Sequence, residues 1–348
     1  MINGISTLSY HQGMLNNMLK SQTDLQKAQN EVSSGRYDDV NLQLGGEVSR
    51  NLSWRLDLSQ VTQYIDMNTQ ANDKAQATQS ALDAMKNSAN TFLSTLAGAR
   101  SATNGQDLIK SSASSMMQSF QQAANISYAG QYLMAGQNST APPMSTYQGG
   151  AGQSAFNDAF QANFGFPPTD DQAANITPDQ MKSFLSGPFE DLFQGSSWTS
   201  NFSSASDTNV AARIDKTQTV NVSANANDPA MKNMMMAMVA VMDAGIGKLN
   251  TSTFQSVIDY SLSKTGTAVQ GIGEIESSIG SAQQSIAQAT TKHNSMKTIL
   301  ESQIQSTEAV DPTEASVRVN TLMNQVEANY AVTGKLQSLS LLNYLPAS

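Results

Sequence analysis

The chain has 348 residues, of which 39% are hydrophobic, 6% aromatic and 14% charged, with a net charge of −9 and no cysteine. The acidic balance argues against nucleic acid and against an anionic membrane surface, both of which need clustered Lys and Arg. The missing cysteines exclude disulfides, thiolate catalysis and Cys-based metal sites, and so few aromatics are poor material for one large core.

An amphipathic helix is predicted from about Asn3 to Ser33, with Leu8, Leu15, Met18, Leu25 and Val32 at spacings of 7 or 3. It stops at Ser33-Ser34-Gly35, where glycine can take the left-handed cap conformation. A polar loop, Arg36 to Gly46, leads into a very long helix from near Glu47. Its seam reads Val48, Leu52, Val61, Ile65, Asn68, Asn72, Ala75, Leu82, Met85, Phe92 and Leu96. Asn68 and Asn72 weaken that seam while fixing its register. The next helix, about Asp107 to Tyr128, carries Ile109, Ala113, Met116, Phe120 and Ala123 on one face.

At Gln131 the period changes. Gln131 to Gly136 is a strand candidate ending in a turn, and Ala141-Pro142-Pro143 forbids helix beyond it. The stretch from about Gln137 to Asn227 reads as a small, proline-rich α+β insertion. Thr177-Pro178-Asp179-Gln180 is a capping box, and Ile214, Lys216 and Val220 to Ser223 alternate like edge strands.

The return limb opens at Asp228-Pro229 with a helix rich in methionine, read as core filler, that ends near Gly245 to Gly247. Another long helix follows, with Ile272, Ile275, Ile279, Ala282, Ile286, Ala289, His293, Met296 and Leu300 at alternating spacings of 3 and 4. Asp311-Pro312-Thr313-Glu314 is a second capping box. It opens a final helix whose seam holds Val319, Leu322, Val326, Tyr330, Leu336 and Leu339. The first and last helices can cover each other, so the chain goes out, turns and returns. His11, Gln22 and Gln29 at one end, and Asn329 and Thr333 at the other, put polar groups into these seams.

No catalytic constellation is visible. His11 and His293 lack a second ligand at i+3 or i+4, and the Gly-x-Gly pairs at 245/247 and 271/273 lack the third glycine of a dinucleotide fingerprint. They read instead as helix termination and close helix packing. Met234 to Met242 is the longest apolar run, far short of the roughly 20 residues a membrane span needs. The first residues carry neither the basic region nor the apolar core of a cleavable signal. A structural protein without cofactor or metal is the expectation.

Three stretches carry a family resemblance. Glu31-Val32-Ser33-Ser34-Gly35-Arg36 resembles the Leu-Ser-Ser-Gly-basic segment shared by bacterial flagellins and hook–filament junction proteins. Tyr132-Leu133-Met134-Ala135-Gly136, then Thr140-Ala141-Pro142-Pro143, resembles a stretch typical of the hook-associated protein 3 family. Ala328-Asn329-Tyr330, with Leu339-Ser340-Leu341-Leu342 after it, resembles the ending of those proteins. The resemblance implies a mainly α fold, with coiled-coil limbs from both termini and the insertion between them. Residues 1–44 and 311–348 would form the assembly region, 45–136 and 229–310 a helical rod, and 137–228 an outer domain. Assembly would rest on Leu8, Leu15, Met18, Leu25, Val32, Val319, Leu322, Val326, Leu336 and Leu339. The partners implied are further copies in a ring, the first hook-associated protein, flagellin and an export chaperone, and the implied place is the outer flagellum, reached through the flagellar type III apparatus. Flagellin itself is the alternative family member. A coiled-coil adaptor is the reading from another class.

Overall fold

In the computed structural model, which describes residues 7–102 and 105–342, long helices dominate and the only strands among those residues form two small antiparallel pairs. The elements are α1 (Thr7–Ser34), α2 (Val40–Leu44), α3 (Val48–Ala99), α4 (Gly105–Ala124), β1 (Ser127–Tyr128), β2 (Gln131–Tyr132), α5 (Ala151–Phe164), α6 (Pro178–Phe184) and α7 (Gly195–Asn201). They continue with β3 (Ala211–Arg213), β4 (Thr219–Asn221), α8 (Pro229–Asp243), α9 (Thr251–Glu308) and α10 (Pro312–Leu342). This is the expected mainly α fold with a small α+β insertion. Two compact units divide the described residues: one up to 62 together with those from 294 on, the other 63–293.

The unit 63–293 is organised by α8. Every residue from Met234 to Met242 is buried, so this helix is apolar all round and takes the central position that such a helix requires. Its methionines fill the space between neighbours, as read from the sequence. Ala71, Ala75, Leu82, Met85, Ala89, Phe92 and Leu96 of α3, Ile109, Ala113, Met117 and Phe120 of α4, and Ile272, Ile279 and Ile286 of α9 belong to the same core. Alanine is frequent in that core because helices approach most closely where side chains are smallest. At Gly271 an added Cβ would lie 2.8 Å from the Ala230 Cβ, so the expected close packing is real there; at Gly273 only the Lys86 Nζ comes within 4 Å.

The insertion departs from the thin packing that composition suggests. Eight of the eleven phenylalanines lie between Phe156 and Phe202. Phe156 packs edge-on against Phe184 and Phe189, with centroids 5.9 and 5.5 Å apart, and Phe202 stacks on both Phe193 and Trp198. A low average hides a locally dense aromatic core. It is tied to the end of α8 by Asp243, which accepts hydrogen bonds from the Tyr147 hydroxyl and from Gln153. Burial, then the Asp243 charge and hydrogen bond, hold the Tyr147 hydroxyl far above the usual tyrosine range.

Local details correct the sequence reading in several places. The Arg36 to Gly46 loop contains α2, capped by Asp39 accepting from the Leu42 amide, and a 3-10 turn at Gly45–Glu47. The strand expected over 131–136 is two residues long, and the later pair starts at Ala211 rather than Ile214. The Thr177 capping box forms in full. At Asp311 the Oδ1 accepts from the Thr313 and Glu314 amides, but the Glu314 carboxylate turns instead to Arg318.

His293 is a packed core residue. Its ring stacks on Tyr64 at 5.1 Å and 6°, with Nε2 3.1 Å from the Ile214 carbonyl oxygen. Asn68 is fully buried on the α3 seam, as its position predicts, and neither of its amide atoms has a hydrogen-bond partner. A buried amide left unpaired costs about 1–3 kcal/mol. Asn68→Leu should therefore raise the melting temperature by a stabilisation of about that size, read by circular dichroism. A lower melting temperature in this variant would show that the amide holds a contact the protein depends on.

Candidate assembly surfaces

In the unit formed by the terminal segments, α1 and α10 pair antiparallel, since Ser21 meets Asn329, Gln22 meets Tyr330 and Glu31 meets Arg318. The side chains facing the pair are Met14, Met18, Ser21, Leu25 and Ala28 on α1. On α10 they are Ala315, Val319, Leu322, Val326, Asn329 and Thr333. Both sets alternate spacings of 3 and 4, the heptad pattern of a two-helix seam. Of these only Ala28 and Ala315 are fully buried, so the seam is narrow and half wet.

Five of the residues singled out in the sequence, Met18, Leu25, Val319, Leu322 and Val326, sit half-buried on this seam. Leu15 and Val32 do not: they are 52% and 44% exposed. The side chains of Leu8, Leu336, Leu339 and His11 lie outside the described residues. Gln29 faces outward, and Tyr330 is 51% exposed although its hydroxyl accepts from Gln22. A second apolar set therefore remains uncovered: Leu15, Leu19 and Val32 on α1, with Val317, Met323 and Val332 on α10.

The base of this pair is held by a group of charges that sequence reasoning missed. Glu308, at the end of α9, has a side chain only 1% exposed. Its carboxylate accepts from both Arg55 Nη2 (2.6 and 2.7 Å) and Arg55 Nε (3.0 Å), and it also pairs with Arg36. Asn51 completes the cluster by donating to Thr307 at 3.0 Å and accepting from Arg55 Nε at 3.1 Å. Next to it, Arg318 bridges Glu31 and Glu314, at 2.8 Å each.

Main-chain bonds join the same segments. Gly35, at φ 68°, ends α1, and its carbonyl accepts from the Val310 amide, while the Tyr37 amide donates to the Glu308 carbonyl. Arg36 and Ala309 form an isolated antiparallel bridge. The Ser34-Gly35-Arg36 stretch is thus the strap between the α1–α2 connection and the α9–α10 connection. A signal for the site existed in the sequence: Glu31 and Glu308 are acids at otherwise apolar helical positions, which makes them candidates for paired, buried carboxylates.

Burial alone would raise the pKa of Glu308. The hydrogen bonds from Arg55 and Asn51 and the charges of Arg36 and Arg55 outweigh it and hold the carboxylate below the ordinary glutamate value. Its contribution to stability is therefore complete above the unfolded-state pKa and lost as pH falls through the lower folded one. Glu308→Ala should destabilise this unit by about 3 kcal/mol, the low end for a broken buried pair, because Arg36 and Arg55 remain 48% and 46% exposed. The measurement is urea unfolding followed by Trp54 fluorescence in a Trp198→Phe background, which leaves Trp54 as the sole tryptophan. The variant should also lose part of the wild type's acid sensitivity; an unchanged midpoint and acid limb would show that the cluster contributes nothing.

Among the described residues no group of acids and histidines is arranged to hold a metal, and no helix is long and apolar enough to cross a membrane. The model of the bacterial flagellin N-terminal helical region matches residues 5–139, and that of the bacterial flagellin C-terminal helical region matches residues 262–345. None of the curated protein sequences matches the chain significantly. A solved structure from Vibrio parahaemolyticus, described as a flagellar hook-associated protein, aligns with a TM-score of 0.51 at 9% identity, over 74% of this chain and 95% of that one. FlgL of Bacillus cereus aligns with a TM-score of 0.48 at 11% identity, over 72% of this chain and 98% of that one. The two flagellin matches together span more than half of the sequence, take in both α1 and α10, and leave residues 140–261, which hold nearly all of the insertion, unmatched between them. The chain belongs to the bacterial flagellin family and is a structural component of the flagellum.

Proposed function

We propose that this chain is a junction subunit, set between the hook and the flagellin filament rather than repeated along the filament. The observation that carries the reading is the Tyr132 to Pro143 stretch, whose resemblance is to hook-associated protein 3. Its residues have a defined structural job. Met134 and Ala135 are fully buried, with their carbonyls accepting from the Ala226 and Ser206 amides. Gly136 turns at φ 59°, where any Cβ would fall 2.4 Å from the Ser206 carbonyl oxygen, so glycine is required. The stretch anchors the insertion at its entry.

On this reading residues 1–44 and 311–348 form the assembly region, 45–136 and 229–310 the rod and 137–228 the outer part. Copies of the chain form a ring on the first hook-associated protein and present a platform to flagellin. Export proceeds through the flagellar type III apparatus with a dedicated chaperone. A bulk filament subunit is the second reading, because both family matches are to flagellin itself.

Immunogold labelling of isolated flagella separates the two: the junction reading expects one band at the hook tip, and label along the whole length would overturn it. Assembly through the terminal seam is tested by Val326→Asp. Val326 is half-buried in the single chain, and an unpaired charge there would cost several kcal/mol in every copy once a neighbouring copy shut it from water. Cells carrying the variant should keep hooks, grow no filament and shed flagellin into the medium. Filaments of normal length would remove the α1–α10 seam from the mechanism.

A further inference from the structure

The insertion carries a cleft at the edge of its core, floored by the buried Ile176 and apart from the assembly surfaces. It has a volume of about 240 Å³, below the range of drug-sized sites, and is lined by Asn163, Phe164, Phe166, Gln172, Asn175 and Gln180. Phe164 ends α5 and Phe166 follows the turn at Gly165, so the two rings lie side by side, with centroids 6.2 Å apart and planes 31° apart. Both are half-buried. Phe160 and Phe184 back the Phe164 ring at 4.6 and 5.3 Å, which fixes the platform from behind.

The wall opposite is equally fixed in its backbone. Asp170 caps the 171–175 turn by accepting from the Gln172 amide, and Asn250 Nδ2 donates to the carbonyls of Ala174 and Ile176. Gln180 Oε1 is held by the Thr177 amide in the capping box. By contrast, the carboxamides of Asn163, Gln172 and Asn175 make no hydrogen bond within the chain, and all three are exposed. No lining residue is charged, and the carboxylate of Asp171, on the same turn, is already paired with Lys248 at 2.6 Å.

A rigid aromatic platform faced by free, uncharged donor–acceptor groups matches one ligand chemistry. We propose that this cleft binds a neutral sugar ring, a hexopyranose. The apolar C–H face of the sugar would lie on Phe164 and Phe166, and its hydroxyls would exchange hydrogen bonds with Asn163, Gln172 and Asn175. A carboxamide both donates and accepts, as a hydroxyl does, and an ionic ligand would find no counter-charge. The inference does not depend on the junction reading, since a filament subunit would present the same cleft.

The test is saturation-transfer NMR and titration of the full chain with methyl glycosides of glucose, galactose and N-acetylglucosamine, with sialic acid and indole as charged and purely apolar controls. The expected result is saturable binding of at least one neutral glycoside with a Kd in the millimolar range. The double variant Gln172→Ala/Asn175→Ala, on exposed side chains, should weaken it at least tenfold without moving the melting temperature. Phe166→Ala should do the same; because that ring also packs inside, its melting curve is measured alongside. Absence of saturable glycoside binding, binding unchanged in the double variant, or equal binding of indole would each overturn the assignment.

Discussion

Every long helix here has to cover a stripe of apolar side chains, and the stripes are narrow. That constraint decides how the helices pack. An isolated helix with such a stripe is marginal in water, because ordering its backbone is offset only when the stripe is packed. In the unit 63–293 the stripes of α3, α4 and α9 share one core with α8, a helix apolar on all sides. In the terminal unit, by contrast, α1 and α10 have only each other along most of their length, and nearly all of their seam stays half exposed. The difference between a closed core and an open seam is the main physical contrast within the chain.

The sequence made the elements legible because helix boundaries depend on local chemistry. Gly35 ends α1, Thr177 and Asp228 cap α6 and α8, and Pro229 and Pro312 occupy the first turns of α8 and α10. What the sequence misled on was which neighbour faces inward. At α1 the seam uses Met14 rather than Leu15; at α3 it uses Asn51 rather than Leu52. At α9 it uses Lys297 rather than Met296, and at α10 it keeps Asn329, one of the polar seam positions expected, but not Tyr330. In each case hydropathy favours the more apolar residue of an adjacent pair. In three of the four cases the structure turns in a polar one, whose side chain can bond to the opposite helix or carry its charge out to water along an aliphatic stem. Asn51 reaches Thr307, and Asn329 reaches Ser21.

The partners of Glu308 in the charge cluster, unlike its own acidic place in an apolar stripe, and the cleft beside Phe164 were illegible for a different reason. Each gathers residues from distant parts of the chain: Arg36, Arg55 and Glu308 in one, and α5, the 171–175 turn and the start of α6 in the other. No local period announces such a meeting. The insertion's aromatic core was hidden likewise, because a composition averaged over 348 residues dilutes phenylalanines concentrated in one short span.

A seam built this way has consequences for a protein that assembles. Polar contacts such as Ser21–Asn329 and Gln22–Tyr330 add little net stability, since each replaces bonds to water, but a helix slipped along its partner would lose them. They select register more than strength, and the buried Glu308 with its two arginines fixes the base from which that register is counted. Meanwhile Leu15, Leu19 and Val32, with Val317, Met323 and Val332, remain on the outer faces of the same pair. Among the described residues the pair offers that second set no partner, which on the proposed reading leaves it to a neighbouring copy. On that reading the intramolecular pair sets the geometry and leaves a further apolar gain to contacts between subunits.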